Sequence, residues 1–179
     1  MYYISLLRGI NVSGQKKIKM LELKALYERL GFTNVQTYIQ SGNVIFESTD
    51  KDNTNLAKQI SKKILEEFGY EVTVLVLDKN TFKTKIEKHP FNEADLPFLY
   101  FTFLSNIPEM IPYDKIEKAK QDTEEIHIVD DMIYFACRSG YGKSKLSNNF
   151  FEQKLKVQAT TRNWKTSKKL LEMIQEAES

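Results

Sequence analysis

The chain has 179 residues, of which 41% are hydrophobic and 28% charged, and its formal net charge is +2; its mean hydropathy is −0.44. This composition is that of a soluble globular protein rather than a disordered or membrane one, and it allows a conventional core, since a chain of this length removes roughly 70% of its unfolded surface from water. The longest apolar stretch, Phe98 to Leu104, falls far short of the ~20 residues needed to span a bilayer, so no membrane partner is expected.

The charge is unevenly spread. Residues 1 to 30 carry six bases against two acids, and residues 138 to 169 carry nine against one, while the stretch between them and the C-terminal ten residues are net acidic. One cysteine, Cys137, rules out an internal disulfide and a cysteine-built zinc site within one chain. His89 and His127 are the only imidazoles, and neither has a second ligand at metal-binding spacing. No metal and no cofactor are expected. The N-terminus has no basic leader and no small-residue cleavage site, which makes a cytoplasmic location the expectation.

In chain order, Tyr2 to Leu7 reads as a strand. Lys19 to Leu30 reads as a helix with Leu23, Leu26 and Tyr27 on one face, closed by Gly31. Val35 to Gln40 and Val44 to Glu47 alternate as strands around the short connection Ser41-Gly42-Asn43. Thr54 to Phe68 is a helix stopped by Gly69, and Val72 to Leu77 is the fourth strand. Asp78 caps a short helix through Lys88, and a connecting segment follows to Pro97.

The same order then returns. Phe98 to Leu104 is a strand whose aromatic residues alternate as core, Pro112 to Lys120 a helix, and Glu125 to Val129 and Met132 to Cys137 a hairpin turning at Asp130-Asp131. Ser144 to Lys154 is a helix with Ser144 as its cap, Val157 to Thr160 a strand, and Thr166 to Ala177 a last amphipathic helix. The plan βαββαβ, met twice, predicts an α+β chain of two tandem ferredoxin-like sandwiches (α/β plaits, split βαβ) with antiparallel sheets. The first would span residues 1–78, a connecting helix and linker 79–97, and the second, with the C-terminal helix, 98–179.

Four polar clusters stand at strand ends. With spatial order 4-1-3-2, the first strand ends where the second and third turn, so Arg8 and Asn11 become neighbours of Gln40, Ser41 and Asn43. In the second half Arg138, Lys143 and Ser144 follow one strand, and Arg162 and Asn163 follow another. Glycine, main-chain donors and positive charge are the ingredients of an anion site. Arg138-Ser139-Gly140-Tyr141-Gly142-Lys143-Ser144 looks like a phosphate-binding loop, but Cys137 stands where its first glycine belongs and the expected sheet is antiparallel. The carboxylate pairs Glu124-Glu125 and Asp130-Asp131 lie on adjacent strand or turn residues, whose side chains point apart, so they do not form an acid and base pair. No catalytic residue emerges, and the enzyme question stays open. Cys137 reads as a buried small residue.

Leu6-Leu7-Arg8-Gly9-Ile10-Asn11-Val12 with Met20, then Thr37-Tyr38-Ile39-Gln40-Ser41-Gly42-Asn43-Val44, then Ser144-Lys145-Leu146 and Thr160-Thr161-Arg162-Asn163-Trp164-Lys165-Thr166, together resemble the bacterial domain-of-unknown-function family 1697 (DUF1697). The resemblance runs along the whole chain and implies two tandem α/β-plait subdomains in a cytoplasmic protein. It brings no established activity. The functional expectation is binding of a phosphate-bearing or other small anionic, nucleotide-like ligand at the strand-end clusters; the alternative is nucleic-acid binding through the basic surface of residues 138–169.

Overall fold

The computed structural model describes residues 1–178. Eight strands and their helices follow in the order β1 (Tyr2–Leu7), α1 (Met20–Arg29), β2 (Thr33–Tyr38), β3 (Asn43–Glu47), α2 (Asn53–Phe68), β4 (Val74–Asp78), α3 (Lys79–Glu87), β5 (Leu99–Leu104), α4 (Tyr113–Ala119), β6 (Glu124–Val129), β7 (Met132–Cys137), α5 (Asn148–Leu155), β8 (Ala159–Asn163) and α6 (Trp164–Glu178). Short 3₁₀ turns occupy Glu93–Phe98 and Tyr141–Lys143. The chain forms an α+β structure with two four-stranded antiparallel sheets, in the orders β2-β3-β1-β4 and β6-β7-β5-β8. Each matches the expected 4-1-3-2. Residues group into two compact units, Met1–Thr84 with the chain from Lys169 onward, and Lys85–Lys168.

In the first unit, period-2 alternation sends Tyr3 and Leu7 of β1, and Val44 and Phe46 of β3, into one core with Leu23, Leu26 and Tyr27 of α1 and Leu56, Ile60 and Ile64 of α2. Ser5 lies on the same face and is buried without loss, because its hydroxyl meets the Tyr27 hydroxyl at 2.5 Å. Ile4, Leu6 and Ile45, on the other face, are buried as well, so β1 reads as an unbroken buried run. The Tyr2 hydroxyl donates to the Ala177 carbonyl at 3.1 Å, and Lys79 pairs with Glu178, fastening the end of α6 to this unit. α2 starts where Asp52 accepts from the Thr54 and Asn55 amides at 2.9 and 3.0 Å and stops at Gly69, whose φ of 72° only glycine adopts at ease.

In the second unit, Leu104, Ile133, Phe135 and Ala159 pack with Ile116 of α4 and Phe151 and Leu155 of α5. The opposite face of β5 carries Phe101, which contacts Tyr134, His89 and Trp164 through ring pairs 6.0 to 6.2 Å apart. Asp130, φ 52°, makes the expected turn between β6 and β7.

Several boundaries differ from the sequence reading. β2 ends at Tyr38 rather than Gln40, because Ile39 turns left-handed, φ 50°. α5 starts at Asn148, not Ser144: residues 141–143 form a 3₁₀ turn, the Ser144 hydroxyl accepts from the Leu146 amide at 3.0 Å, and Ser147 caps the helix by accepting from the Phe150 amide at 3.3 Å. β8 runs Ala159–Asn163 rather than ending at Thr160, so the Thr-Thr-Arg-Asn cluster is strand and leads into α6 without a loop. Phe98 closes a 3₁₀ turn and is 38% exposed, while Phe101 and Phe103 are core.

Candidate functional site

The end of β1 and the β2–β3 turn are joined by main chain and by one amide. The Leu7 amide donates to the Gly42 carbonyl at 2.8 Å, and the Arg8 amide to the Thr73 carbonyl at 2.9 Å, which draws the start of β4 to the same rim. Past Gly9 the chain makes a compact loop of left-handed residues, Asn11, Ser13, Gly14 and Lys16. Asn11 holds it. Its Nδ2 donates to the carbonyls of Ile18 and Gln40, each at 2.9 Å, and its Oδ1 accepts from the Ile18 amide at 2.9 Å. Asn11 therefore spans the root of the loop and reaches across to the hairpin turn.

On the hairpin side, Asn43 is fully buried, and its Nδ2 donates to the Tyr38 carbonyl and the Ser41 hydroxyl, both at 3.0 Å. Gly42, φ 75°, packs so closely that a Cβ there would lie 2.7 Å from the Leu7 Cβ and 2.9 Å from Ile10 Cδ1. The five sequence-chosen residues of this half thus come together with distinct work: Asn11 and Asn43 shape the backbone, Gln40 offers its carbonyl to Asn11, Ser41 partners Asn43, and Arg8 stands half-buried at the strand end. Residues 8–19 carry Arg8, Lys16, Lys17 and Lys19 and no acid, and residues 36–46 carry no charge at all. Lys16 donates to the Glu71 carbonyl, and Lys17 is exposed.

The second set is more dispersed. β7 and β8 flank β5, so Arg138 and Asn163 do end at the same side of their sheet. Arg138 pairs with Asp95, and Lys143 is exposed, its carbonyl accepting from Gln121 Nε2 at 3.0 Å. Ser144 is used in its own turn, and Asn163 caps α6 by accepting from the Thr166 amide at 2.8 Å. Arg162 is 8% exposed, its Nη1 donating to the Thr160 hydroxyl and the Thr161 carbonyl, both at 2.9 Å. Thr161, on the other face, joins Thr102, Asn148 and Tyr141 of the glycine loop. Strand alternation therefore separates Arg162 from the loop that carries Lys143.

Sequence reasoning passed over one polar cluster. Glu124, buried at the start of β6, accepts from the Gln121 amide at 2.9 Å and from the Cys137 thiol at 3.5 Å. Burial, with the Glu124 carboxylate beside it, pushes the Cys137 thiol above its ordinary range, which makes it a poor nucleophile. The signal was available: at period 2, Glu124 shares its face with Ile126 and Ile128, which pack on the core. His89, which the sequence offers only as a poor metal ligand, has its ring centroid 5.5 Å from that of Trp164, and burial lowers its pKa. Among the described residues no group of three His, Cys, Asp or Glu side chains stands ready for a metal ion, and no helix is long and apolar enough to cross a membrane.

Two antiparallel four-stranded sheets with their helices place the chain among small α+β proteins, with a basic rim built around Asn11. The chain belongs to the family described as proteins of unknown function, DUF1697, whose family model matches residues 1–134 and so includes the first rim. Its fold is similar over nearly the whole length to the conserved bacterial protein SP0830 from Streptococcus pneumoniae, at 26% identity and a TM-score of 0.71, covering 96% of this chain and 97% of that one. No curated protein matches.

Proposed function

We propose that this chain is a cytoplasmic binding protein for a phosphate-bearing or other anionic, nucleotide-like ligand, held at the strand-end clusters Arg8, Asn11, Gln40, Ser41, Asn43 and Arg138, Lys143, Ser144, Arg162, Asn163. With this reading goes a subdomain plan of two ferredoxin-like plaits, residues 1–78 and 98–179 joined by 79–97; the shared strand order supports the two plaits, while the compact units group the chain from Lys169 onward with the first. The observation that carries the binding proposal is the Asn11 clamp, which fixes an acid-free basic loop against an uncharged turn. Positive charge held on a preorganised backbone loses little freedom on meeting an anion. Of the two halves, the first is the stronger, since Arg162 and Asn163 already serve their own strand and helix.

A second reading, nucleic-acid binding by residues 138–169, is favoured by one observation: Lys143, Lys145, Lys156 and Lys165 are exposed and have no carboxylate within ion-pair distance among the described residues. One experiment separates the two. Melting temperatures are measured with and without ATP, inorganic phosphate and a short DNA duplex, for the natural chain and for Arg8→Ala/Lys17→Ala. The first reading expects stabilisation by ATP that the double variant loses. The second expects DNA binding whose logarithm falls with log salt by roughly 0.9 per phosphate contacted. A melting temperature unmoved by ATP at millimolar concentration rejects the first.

A further inference from the structure

Two large aliphatic residues stand exposed on either side of the Asn11–Gln40 contact: Val12 is 55% and Ile39 50% exposed. Each is the chain neighbour of a residue in that 2.9 Å hydrogen bond, so its Cα lies about 3.8 Å from the Cα of Asn11 or of Gln40. Ile39 also occupies the left-handed region, φ 50°, where a β-branched side chain is a steric outlier and asparagine or glycine would sit at ease. A half-exposed isoleucine gains only part of the burial energy that would offset that cost, and such outliers cluster where a ligand is held. The surrounding rim is basic on one segment and uncharged on the other.

One exposed aliphatic residue on each of two hydrogen-bonded segments, the first of them basic, suits a ligand with a flat apolar body and an anionic tail. We propose that Val12 and Ile39 form the seat for the base of a nucleoside phosphate whose phosphates meet the basic loop of residues 8–19. The inference rests on the anion-binding reading above and adds to it the half of the ligand that carries no charge. Dispersion and loss of apolar surface against Val12 and Ile39 would hold the base, with the phosphates supplying the electrostatic attraction.

The test uses isothermal titration with ATP and with inorganic tripolyphosphate, which share a phosphate chain and differ in the nucleoside. The natural chain is expected to bind ATP at least tenfold more tightly than tripolyphosphate. Ile39→Asn, which relaxes the backbone at a left-handed position, is expected to raise the melting temperature while erasing that preference and leaving tripolyphosphate affinity unchanged; Val12→Ser should erode the preference without the gain in stability. Equal affinity of the natural chain for ATP and tripolyphosphate overturns the base seat and leaves the anion site standing. So does an Ile39→Asn variant that keeps its ATP preference, or one that weakens both probes alike. Failure of both probes to bind the natural chain removes the anion site and this inference with it.

Discussion

Gly42 and Asn11 do at single positions what no neighbouring residue could replace. A Cβ at Gly42 would meet Leu7 and Ile10 at 2.7 to 2.9 Å on a backbone with φ 75°, so Gly42→Ala combines a left-handed penalty with overpacking. Together these cost about 2–4 kcal/mol. Gly69→Ala is the control: its φ is 72° but nothing lies within 4 Å, and it should cost about 1 kcal/mol. Urea unfolding of the two variants checks the difference, and equal losses would mean that the rim yields to a methyl group. Asn11→Ala removes three hydrogen bonds and the residue best suited to φ 54°, for an expected loss of about 2–3 kcal/mol. The residue types of this rim were legible in the sequence because turns and anion sites draw on the same small set of Gly, Asn and Ser. Their roles were not. Asn43 points into the protein and Asn11 binds its own chain, facts set by side-chain direction, which a string of letters does not carry.

Helices and strands announced themselves where an apolar period met a capping residue. α2 shows both, with Asp52 and Gly69 at its ends and Leu56, Ile60 and Ile64 on its buried face. Where polar residues fill an edge strand the period vanishes: in β8 Thr161 is satisfied by other hydroxyls and the Asn148 amide oxygen and Arg162 by its own strand, so Thr161 to Asn163 looks like loop. From sequence α5 begins at Ser144 and in the structure at Asn148, because Ser144 and Ser147 can each cap a helix and only the 3₁₀ turn at residues 141–143 decides between them. That choice is open to measurement. Ser147→Ala should cost about 1 kcal/mol by leaving the first turn of α5 uncapped, and Ser144→Ala, which loses one turn hydrogen bond, about half of that. Chemical denaturation that ranks them in the reverse order would place the start of the helix at Ser144.

The whole molecule has a pH window set by groups in both units. On the acid side burial lowers the His89 pKa, Arg29 holds Glu67 low, and the Thr81 hydroxyl and amide hold Asp78 low although burial opposes its ionisation. Each is depressed on folding, so each contributes stability above its unfolded pKa that is lost as pH falls, first through His89 below the ordinary imidazole range and then through the carboxylates. The alkaline side belongs to tyrosine. Burial raises the phenol pKa of Tyr2, Tyr3 and Tyr27 in the first unit and of Tyr134 in the second, with Asp131 and Asp130 adding to Tyr134. Tyr27 is the extreme, wholly enclosed against Ser5. Above about pH 10 the unfolded chain releases phenolic protons that the folded chain keeps, so the unfolded state binds fewer protons and stability falls as pH rises. Below about pH 9 both states hold those protons and the contribution is complete. Urea midpoints should therefore be level from about pH 7 to about pH 9 and descend steeply beyond about pH 10. Tyr27→Phe, which keeps the ring and removes the titrating group, should shallow the descent while costing stability at neutral pH through the hydroxyl left unpaired on Ser5. A midpoint that holds level past about pH 11 in the natural chain would mean that water reaches these phenols, and that the layer between the first sheet and α1 is looser than its packing requires.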